Sequence, residues 1–367
     1  MVSVRVGIPA RPEGSYPVLI GRRLLADLPG LLAREAPAAR YAVIADAHVA
    51  PLYAAPAVTA LRAAGLAADL LDFPAGELSK TRDNWAVLTD RMLALECHRD
   101  AVVVAVGGGV TGDLAGFVAA TYLRGVPLVQ VPTTLLAMVD SAIGGKTGVD
   151  AAAGKNLIGA FHQPRLVVAD LDTLDSLPPR QRRSGLGEVV KYGVVADAAF
   201  FDALERDAKA LAAGDPAATE RVVRRSAEIK ALVVGRDAED VGQRSILNFG
   251  HTIGHALEAA SGFTLLHGEA VAIGMVCEAR LAERIGIAPG GTAERIERAV
   301  GALGLPVARP ADAPLAGVLS RMRLDKKTRA SAVRFALPSR IGAMQRSDDG
   351  QWTVEAPDDA IREVLGA

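Results

Sequence analysis

Ala101-Val-Val-Val-Ala-Val106, then Gly107-Gly108-Gly109-Val110-Thr111-Gly112-Asp113, then Leu114 to Tyr122 is the stretch on which the fold turns. A short β-branched apolar run reads as a strand buried on both faces, and the glycines that close it open a helical pattern. Strand, glycine turn and helix is the order a phosphate site requires. Glycines let the main chain approach a pyrophosphate, and the helix N-terminus offers free N–H donors and a positive dipole end. Gly107, Gly109 and Gly112 match G-x-G-x-x-G, which alone is weak, because a tight turn packing strand on helix gives the same pattern. No acid follows about 20 residues later to take a ribose, as an ordinary first crossover would have. The loop therefore reads as a later crossover with its acid upstream. Asp46, closing the run Tyr41 to Ala45, is the candidate, and Phe73 to Lys80 adds Glu77 and Lys80 in a turn setting.

Outward from this stretch, Tyr41 to Ile44, Leu128 to Val131 and Leu166 to Val168 also read as strands between helical patterns. That alternation implies a parallel α/β sheet. Met1 to Gly7 reads as an edge strand. Past Leu177-Pro178-Pro179 the strand signals fade, and helical patterns take over at Phe201 to Ala213, Ala218 to Val234 and Glu269 to Ile285, with an extended piece at Ala332 to Leu337. With 367 residues, two domains fit better than one core. The expectation is an N-terminal Rossmann-like parallel-sheet domain over 1–177 and a mainly α-helical domain over 178–367.

A formal net charge of -1 supplies no global field for nucleic acid or anionic lipid, and only 4% of residues are aromatic, so neither a nucleic-acid nor a membrane partner is expected. The most apolar charge-poor stretch, Gly125 to Val139, is interrupted by prolines, threonines and a glutamine and falls short of a membrane helix. Cys97 and Cys277 stand alone, outside any CxxC spacing. They read as buried core thiols of a cytoplasmic protein.

Three of the six histidines, His251, His255 and His267, fall close together. Arg244, Asn248, His251 and His255 are spaced four, three and four apart, which predicts one face of a single helix. Its other faces are apolar, so the polar stripe should line a pocket. Gly250 and Gly254 within that helix need a reason, since each costs about 1 kcal/mol relative to alanine; close approach of another backbone is one. His267 opens the next helix and can turn back toward His251. Two imidazoles from separate elements plus a carboxylate leave an open position, as a catalytic zinc-type site requires; hydrogen-bonded core histidines are the alternative. Glu188, in Gly185 to Tyr192 with Lys191 three residues on, is the candidate carboxylate, with a surface ion pair as the other reading.

Two segments carry polar residues among glycines, Asp140 to Gly148 and Gly154-Lys155-Asn156, and read as loops walling a ligand. With Lys191, Lys230, Arg244 and the pair Lys326-Lys327 they suit a small acidic substrate carrying carboxylate or phosphate.

Together these motifs resemble the 3-dehydroquinate synthase family of the sugar-phosphate cyclase superfamily, whose fold is glycerol-dehydrogenase-like. The match is densest from Phe73 to Leu337. The resemblance implies Glu188, His251 and His267 as ligands of zinc or cobalt, with His255 beside them as an acid or base. It implies Asp140, Lys146 and Lys191 as further catalytic groups. Substrate contacts would come from Lys146, Lys155, Asn156 and Lys191, from Lys230, Arg244 and Asn248, and from Lys326 or Lys327. Arg124 would reach the neighbouring subunit's site in a homodimer. For NAD it implies Asp46, Glu77, Lys80, Gly108, Gly109, Val110 and Asp113, then Thr133, Thr134, Asp140, Lys146 and Lys155, with Thr173 and Ser176. His48 stands where asparagine is usual, and Gly187 where alanine is usual.

The implied reaction converts 3-deoxy-D-arabino-heptulosonate 7-phosphate to 3-dehydroquinate and phosphate in aromatic amino acid biosynthesis. It proceeds through transient oxidation by NAD, phosphate elimination, re-reduction and aldol closure. The rivals are a cyclase of the amino-dehydroquinate or valiolone type and a metal-dependent NAD polyol dehydrogenase.

Overall fold

The computed structural model describes residues 14–152, 154–262, 264–311, 313–327 and 333–366; the strand expected at Met1 to Gly7 lies outside them. The first half runs β1 (Val18–Gly21), α1 (Leu28–Glu35), β2 (Arg40–Asp46), α2 (Ala55–Ala63), β3 (Ala68–Phe73), α3 (Arg82–Ala94), β4 (Ala101–Gly107), α4 (Gly109–Thr121), β5 (Leu128–Pro132), β6 (Lys146–Ala151), β7 (Gly154–Phe161) and β8 (Leu166–Asp170). Six of these strands form one sheet in the order β1-β8-β5-β4-β2-β3, every pair parallel. The continuous apolar run of β4 is explained by two covered faces. Val102, Val104 and Val106 enter one core cluster, and Ala101, Val103 and Ala105 enter another.

The order also locates the ligand crevice. β3 lies on one side of β2 and β4 on the other, so the chain reverses direction across the sheet at the β2/β4 boundary, where open α/β sheets bind ligands at the strands' C-terminal ends. Asp46 ends β2 and Gly107 ends β4. The late glycine loop is thus at the switch point although its strand is fourth in the chain.

Where loops were expected, β6 and β7 form a two-stranded antiparallel hairpin, preceded by a short helical turn at Ala137–Ser141. Glycine and lysine content hid the alternation, in which Thr147 and Val149 turn inward while Lys146 points out.

From Pro179 the chain is mainly helical: α5 (Pro179–Ala196), α6 (Ala198–Ala213), α7 (Pro216–Arg236), α8 (His251–Ala260), α9 (His267–Arg284), α10 (Thr292–Ala302) and α11 (Leu315–Lys327), then β9 (Arg334–Phe335), β10 (Pro338–Arg340), β11 (Ala343–Met344), β12 (Val354–Glu355) and α12 (Asp358–Gly366). Asp197 and Asp215 cap α6 and α7 by accepting the amides of Phe200 and Ala218 at 3.0 and 2.8 Å. The extended piece expected at Ala332 to Leu337 is represented by β9, paired antiparallel with β12. A single core cluster joins Leu135, Val139 and Ala169 of the first half to Leu186, Val190 and Tyr192 of α5. Cys97 and Cys277 are buried and unpaired. Among the described residues no helix is long and apolar enough to cross a membrane.

The helix expected to run unbroken from Arg244 to His255 is in fact two elements. A 3-10 segment covers Gln243–Asn248, the chain turns at Phe249 and Gly250, and α8 begins at His251. Gly250 causes the break with φ of +81°, a left-handed conformation that side chains disfavour. The close approach expected of these glycines is present: a Cβ at Gly274 of α9 would lie 2.0 Å from the Gly250 carbonyl oxygen. Gly274→Ala should therefore cost about 1–3 kcal/mol in urea unfolding. Gly290→Ala, with nothing within 4 Å, should change little.

Candidate active site

Glu188 on α5 is wholly buried because α5 is sandwiched between the sheet-side core and α9, and it meets the two histidines that start α8 and α9. His251 Nε2 lies 3.3 Å and His267 Nε2 3.2 Å from Glu188 Oε1. Ligand atoms of all three residues fall within 4.8 Å of one another. The remaining ring nitrogens are already oriented: His251 Nδ1 faces the Phe249 carbonyl at 3.2 Å and His267 Nδ1 faces Glu258 at 3.4 Å. Such acceptors fix the tautomer that leaves Nε2 free as a ligand. Glu188 Oε2 is buried in an ion pair with the Lys191 ammonium. The other carboxylate oxygen, Oε1, and two convergent imidazole nitrogens fit a divalent cation of the zinc class.

The electrostatics agree. Burial opposes charge on Glu188, yet Lys191 and then His251 hold its pKa well below the usual carboxylate range. Burial likewise disfavours a charged His267, but Glu188 and Glu258 more than offset it and hold the ring protonated up to about 10. A cation taken up at His267 Nε2 would displace that proton, keeping positive charge at this point. His255 belongs to the same cluster, its ring 5.2 Å from that of His251, but its nitrogens are outside the convergent trio. It opens onto the cleft between the two halves. Desolvation there, with His251 and His267 adjacent, lowers its pKa and leaves it neutral.

Above the trio is a cleft of about 660 Å³. It brings together most of the expected residues: Lys146, Lys155 and Asn156 from the hairpin, Lys191 and Lys230 from helices, and Arg244 and Asn248 from the turn before α8. Asp140 organises the lysines. Its Oδ1 accepts from Lys230 at 2.6 Å and from the Tyr192 hydroxyl at 2.6 Å, and Lys191 lies 3.8 Å away. Although burial pushes Asp140 up, Lys230 and Lys191 hold it well below the ordinary carboxylate range. Desolvation, helped by Lys191, brings Lys230 down to about 8. Arg244 is spanned between the Gly144 and Ala238 carbonyls at 3.0 and 2.8 Å.

On the dinucleotide side the cleft includes Glu77, Lys80, Gly109, Val110 and Asp113. Lys80 bridges Asp113 and Asn156, each at 2.5 Å. Asp46 stands just behind the loop, accepting from Thr111 at 3.2 Å and from the His48 amide at 2.9 Å. Gly108 contacts Thr134, a Cβ there lying 3.1 Å from its methyl, and Thr133 donates to Gly107 at 2.9 Å. Thr173 and Ser176 do not line the cleft: Thr173 is buried, and the Tyr53 hydroxyl bonds to its carbonyl and to Ser176 Oγ. Arg124 stands exposed away from this cleft. The side chains of Lys326 and Lys327, at the end of α11, lie outside the described residues.

Four acids escaped the sequence reading. Asp240 pairs with Lys146 across the cleft, Glu239 lines it, and Glu258 pairs with Lys155 at 2.6 Å. Glu278 of α9 accepts the amides of Gly250 and Ile253 at 2.6 and 3.0 Å, supplying the N-cap that Gly250 lacks. Only Glu258 left a sequence signal, lying seven residues after His251 on the same helical face.

The fold and site define a class: an enzyme with a parallel sheet covered on both faces, a crevice at the sheet's switch point, three convergent donors that could hold a cation, and a lysine-rich cleft. Residues 70–184 match the model of the 3-dehydroquinate synthase N-terminal family and residues 185–328 that of the 3-dehydroquinate synthase C-terminal family, and the chain belongs to the 3-dehydroquinate synthase family. It is 50% identical over 351 residues to the 3-dehydroquinate synthase of Symbiobacterium thermophilum, covering 94% of this chain and 98% of that one. Among solved structures it resembles a 2-deoxy-scyllo-inosose synthase complexed with carbaglucose-6-phosphate, NAD+ and Co2+, with a TM-score of 0.88, 28% identity and coverage of 95% and 96%. The 2-epi-5-epi-valiolone synthase of Streptomyces hygroscopicus, with NAD+ and Zn2+ bound, gives a TM-score of 0.87 at 30% identity, covering 98% of each chain.

Proposed function

We propose that this chain converts 3-deoxy-D-arabino-heptulosonate 7-phosphate to 3-dehydroquinate and phosphate with substrate, NAD and metal gathered in the one cleft. The observation that carries the reading is the convergence of Glu188, His251 and His267 under the lysine-rich cleft walled by the glycine loop. NAD, when bound, supplies a reversible hydride acceptor, and a zinc or cobalt ion held by Glu188, His251 and His267 supplies Lewis acidity. The cofactors named with the two solved cyclases support this assignment.

The chain's own residues then divide the remaining work. Asp46, Glu77, Lys80, Gly108, Gly109, Val110, Asp113, Thr133 and Thr134 hold the dinucleotide around the switch point, with Thr173 and Ser176 behind them beside Tyr53. Lys146, Lys155, Asn156, Lys230, Arg244 and Asn248 bind the substrate's anionic groups, with Lys326 or Lys327 as a further contact. Lys191 and Asp140 hold the polar network beneath the reacting carbons. His255, neutral and open to the cleft, takes or gives a proton without binding the cation. The reading carries a division into lobes at Leu177, a cytoplasmic location, and a homodimer in which exposed Arg124 serves the neighbouring site. The test is phosphate release from the heptulosonate phosphate with NAD far below substrate concentration. Release should reach many turnovers, stop with chelator, and give a product of dehydroquinate mass. NADH accumulating without phosphate would point to a polyol dehydrogenase instead.

A further inference from the structure

Glu258 is a cleft carboxylate to which the reaction above gives no task. It projects from α8 on the face that carries His251 and His255, and only 5% of it is exposed. One oxygen accepts from Lys155 Nζ at 2.6 Å and the other faces His267 Nδ1 at 3.4 Å. Lys155 sits on β7, the arm reaching over from the sheet half, and also meets Glu77 at 2.9 Å. His267 is therefore held at both nitrogens by carboxylates, Glu188 on the cation side and Glu258 behind, and Glu258 is itself shared with a lysine of the substrate cleft.

We infer that Glu258 is a positioning residue that sets the His267 ring for the cation and couples that setting to Lys155; this rests on the metal assignment above. A carboxylate behind a ligating imidazole fixes its orientation and raises its basicity as a ligand. While Lys155 draws on the same carboxylate, Glu258 gives less to His267. An anionic substrate that claims Lys155 releases Glu258 to the imidazole, so substrate binding tightens the cation site, and by reciprocity the bound cation tightens substrate binding.

The test is Co2+ titration of the full chain against a competing chelator, without substrate. Glu258→Gln should weaken Co2+ binding by about 10- to 100-fold and shrink the rise in melting temperature that Co2+ gives. Equal lowering of the metal-free and metal-bound melting temperatures with unchanged affinity would mean a purely structural residue and would overturn the inference. Lys155→Met should tighten Co2+ several-fold in the native background and have no effect in the Glu258→Gln background. The same effect in both backgrounds would mean simple charge repulsion and would overturn the coupling. Because Lys155→Met retains Glu258, this arm stands even if Glu258→Gln folds poorly. His267→Ala separates the two levels: loss of Co2+ there with native affinity in Glu258→Gln rejects only this inference, whereas native affinity in both rejects the metal assignment itself.

Discussion

His267→Ala is expected to purify without stoichiometric metal and to release phosphate roughly a thousandfold more slowly or worse, whereas His255→Ala keeps its metal and loses rate alone. The first loss follows from geometry. Glu188, His251 and His267 are the three residues whose donor atoms converge, and removing one leaves two ligands, too few to retain a catalytic cation. Lewis-acid stabilisation contributes several kcal/mol, and each 1.36 kcal/mol is about tenfold in rate. His255 stands beside the trio, its ring 5.7 Å from that of His267, so its alanine variant leaves all three donors in place. A lost acid–base group costs about 10²- to 10⁴-fold. Metal content of both purified variants, measured alongside the phosphate assay, decides the matter. Equal metal loss in the two would overturn the assignment of ligands.

Lys191→Met should destabilise the metal-free protein by about 3–5 kcal/mol, the usual consequence of leaving one member of a buried ion pair alone. Lys191 is 1% exposed and Glu188 0%, and the same ammonium faces Asp140 at 3.8 Å. Burial disfavours its charge, but Glu188 and Asp140 more than offset this and raise its pKa. Methionine preserves the packing and removes the charge that separates two carboxylates. A bound dication compensates Glu188 directly, so zinc should recover much of the loss. Urea unfolding in chelator and in excess zinc measures both effects. A metal-free loss below about 1 kcal/mol would show that the pair is not the mainstay its burial implies.

The sequence disclosed what local chemistry controls. Ala101 to Tyr122 announced strand, turn and helix because β-branched residues, glycines and helix formers follow each other without interruption. It did not disclose that β4 lies beside β2, since that depends on pairing across distant segments, and the switch-point role of Asp46 emerges only with the sheet order. The spacing of Arg244, Asn248, His251 and His255 looked helical because a 3-10 segment and an α-helix flank only two turn residues, Phe249 and Gly250. The break needed Gly250 in a left-handed conformation, and its compensating acceptor, Glu278, comes from the next helix. Lys155 was readable as a cleft cation. That Glu258 answers it from the other half was not, because no local rule pairs them.

The helices that bear the cation donors touch through bare main chain. A Cβ at Gly268, just after His267, would lie 1.8 Å from the Ser184 carbonyl oxygen, one turn before Glu188, and one at Gly274 would lie 2.0 Å from that of Gly250, just before His251. Contacts made by backbone cannot yield by changing rotamer, so the distances between donors are a property of the scaffold rather than of the side chains. Such a site works as a gauge for ion size. It suits a small borderline cation satisfied by two nitrogens and one oxygen, and it cannot spread to give calcium its six to eight oxygens or magnesium its octahedron. The choice of ion would thus be set by glycines that carry none of the donor atoms.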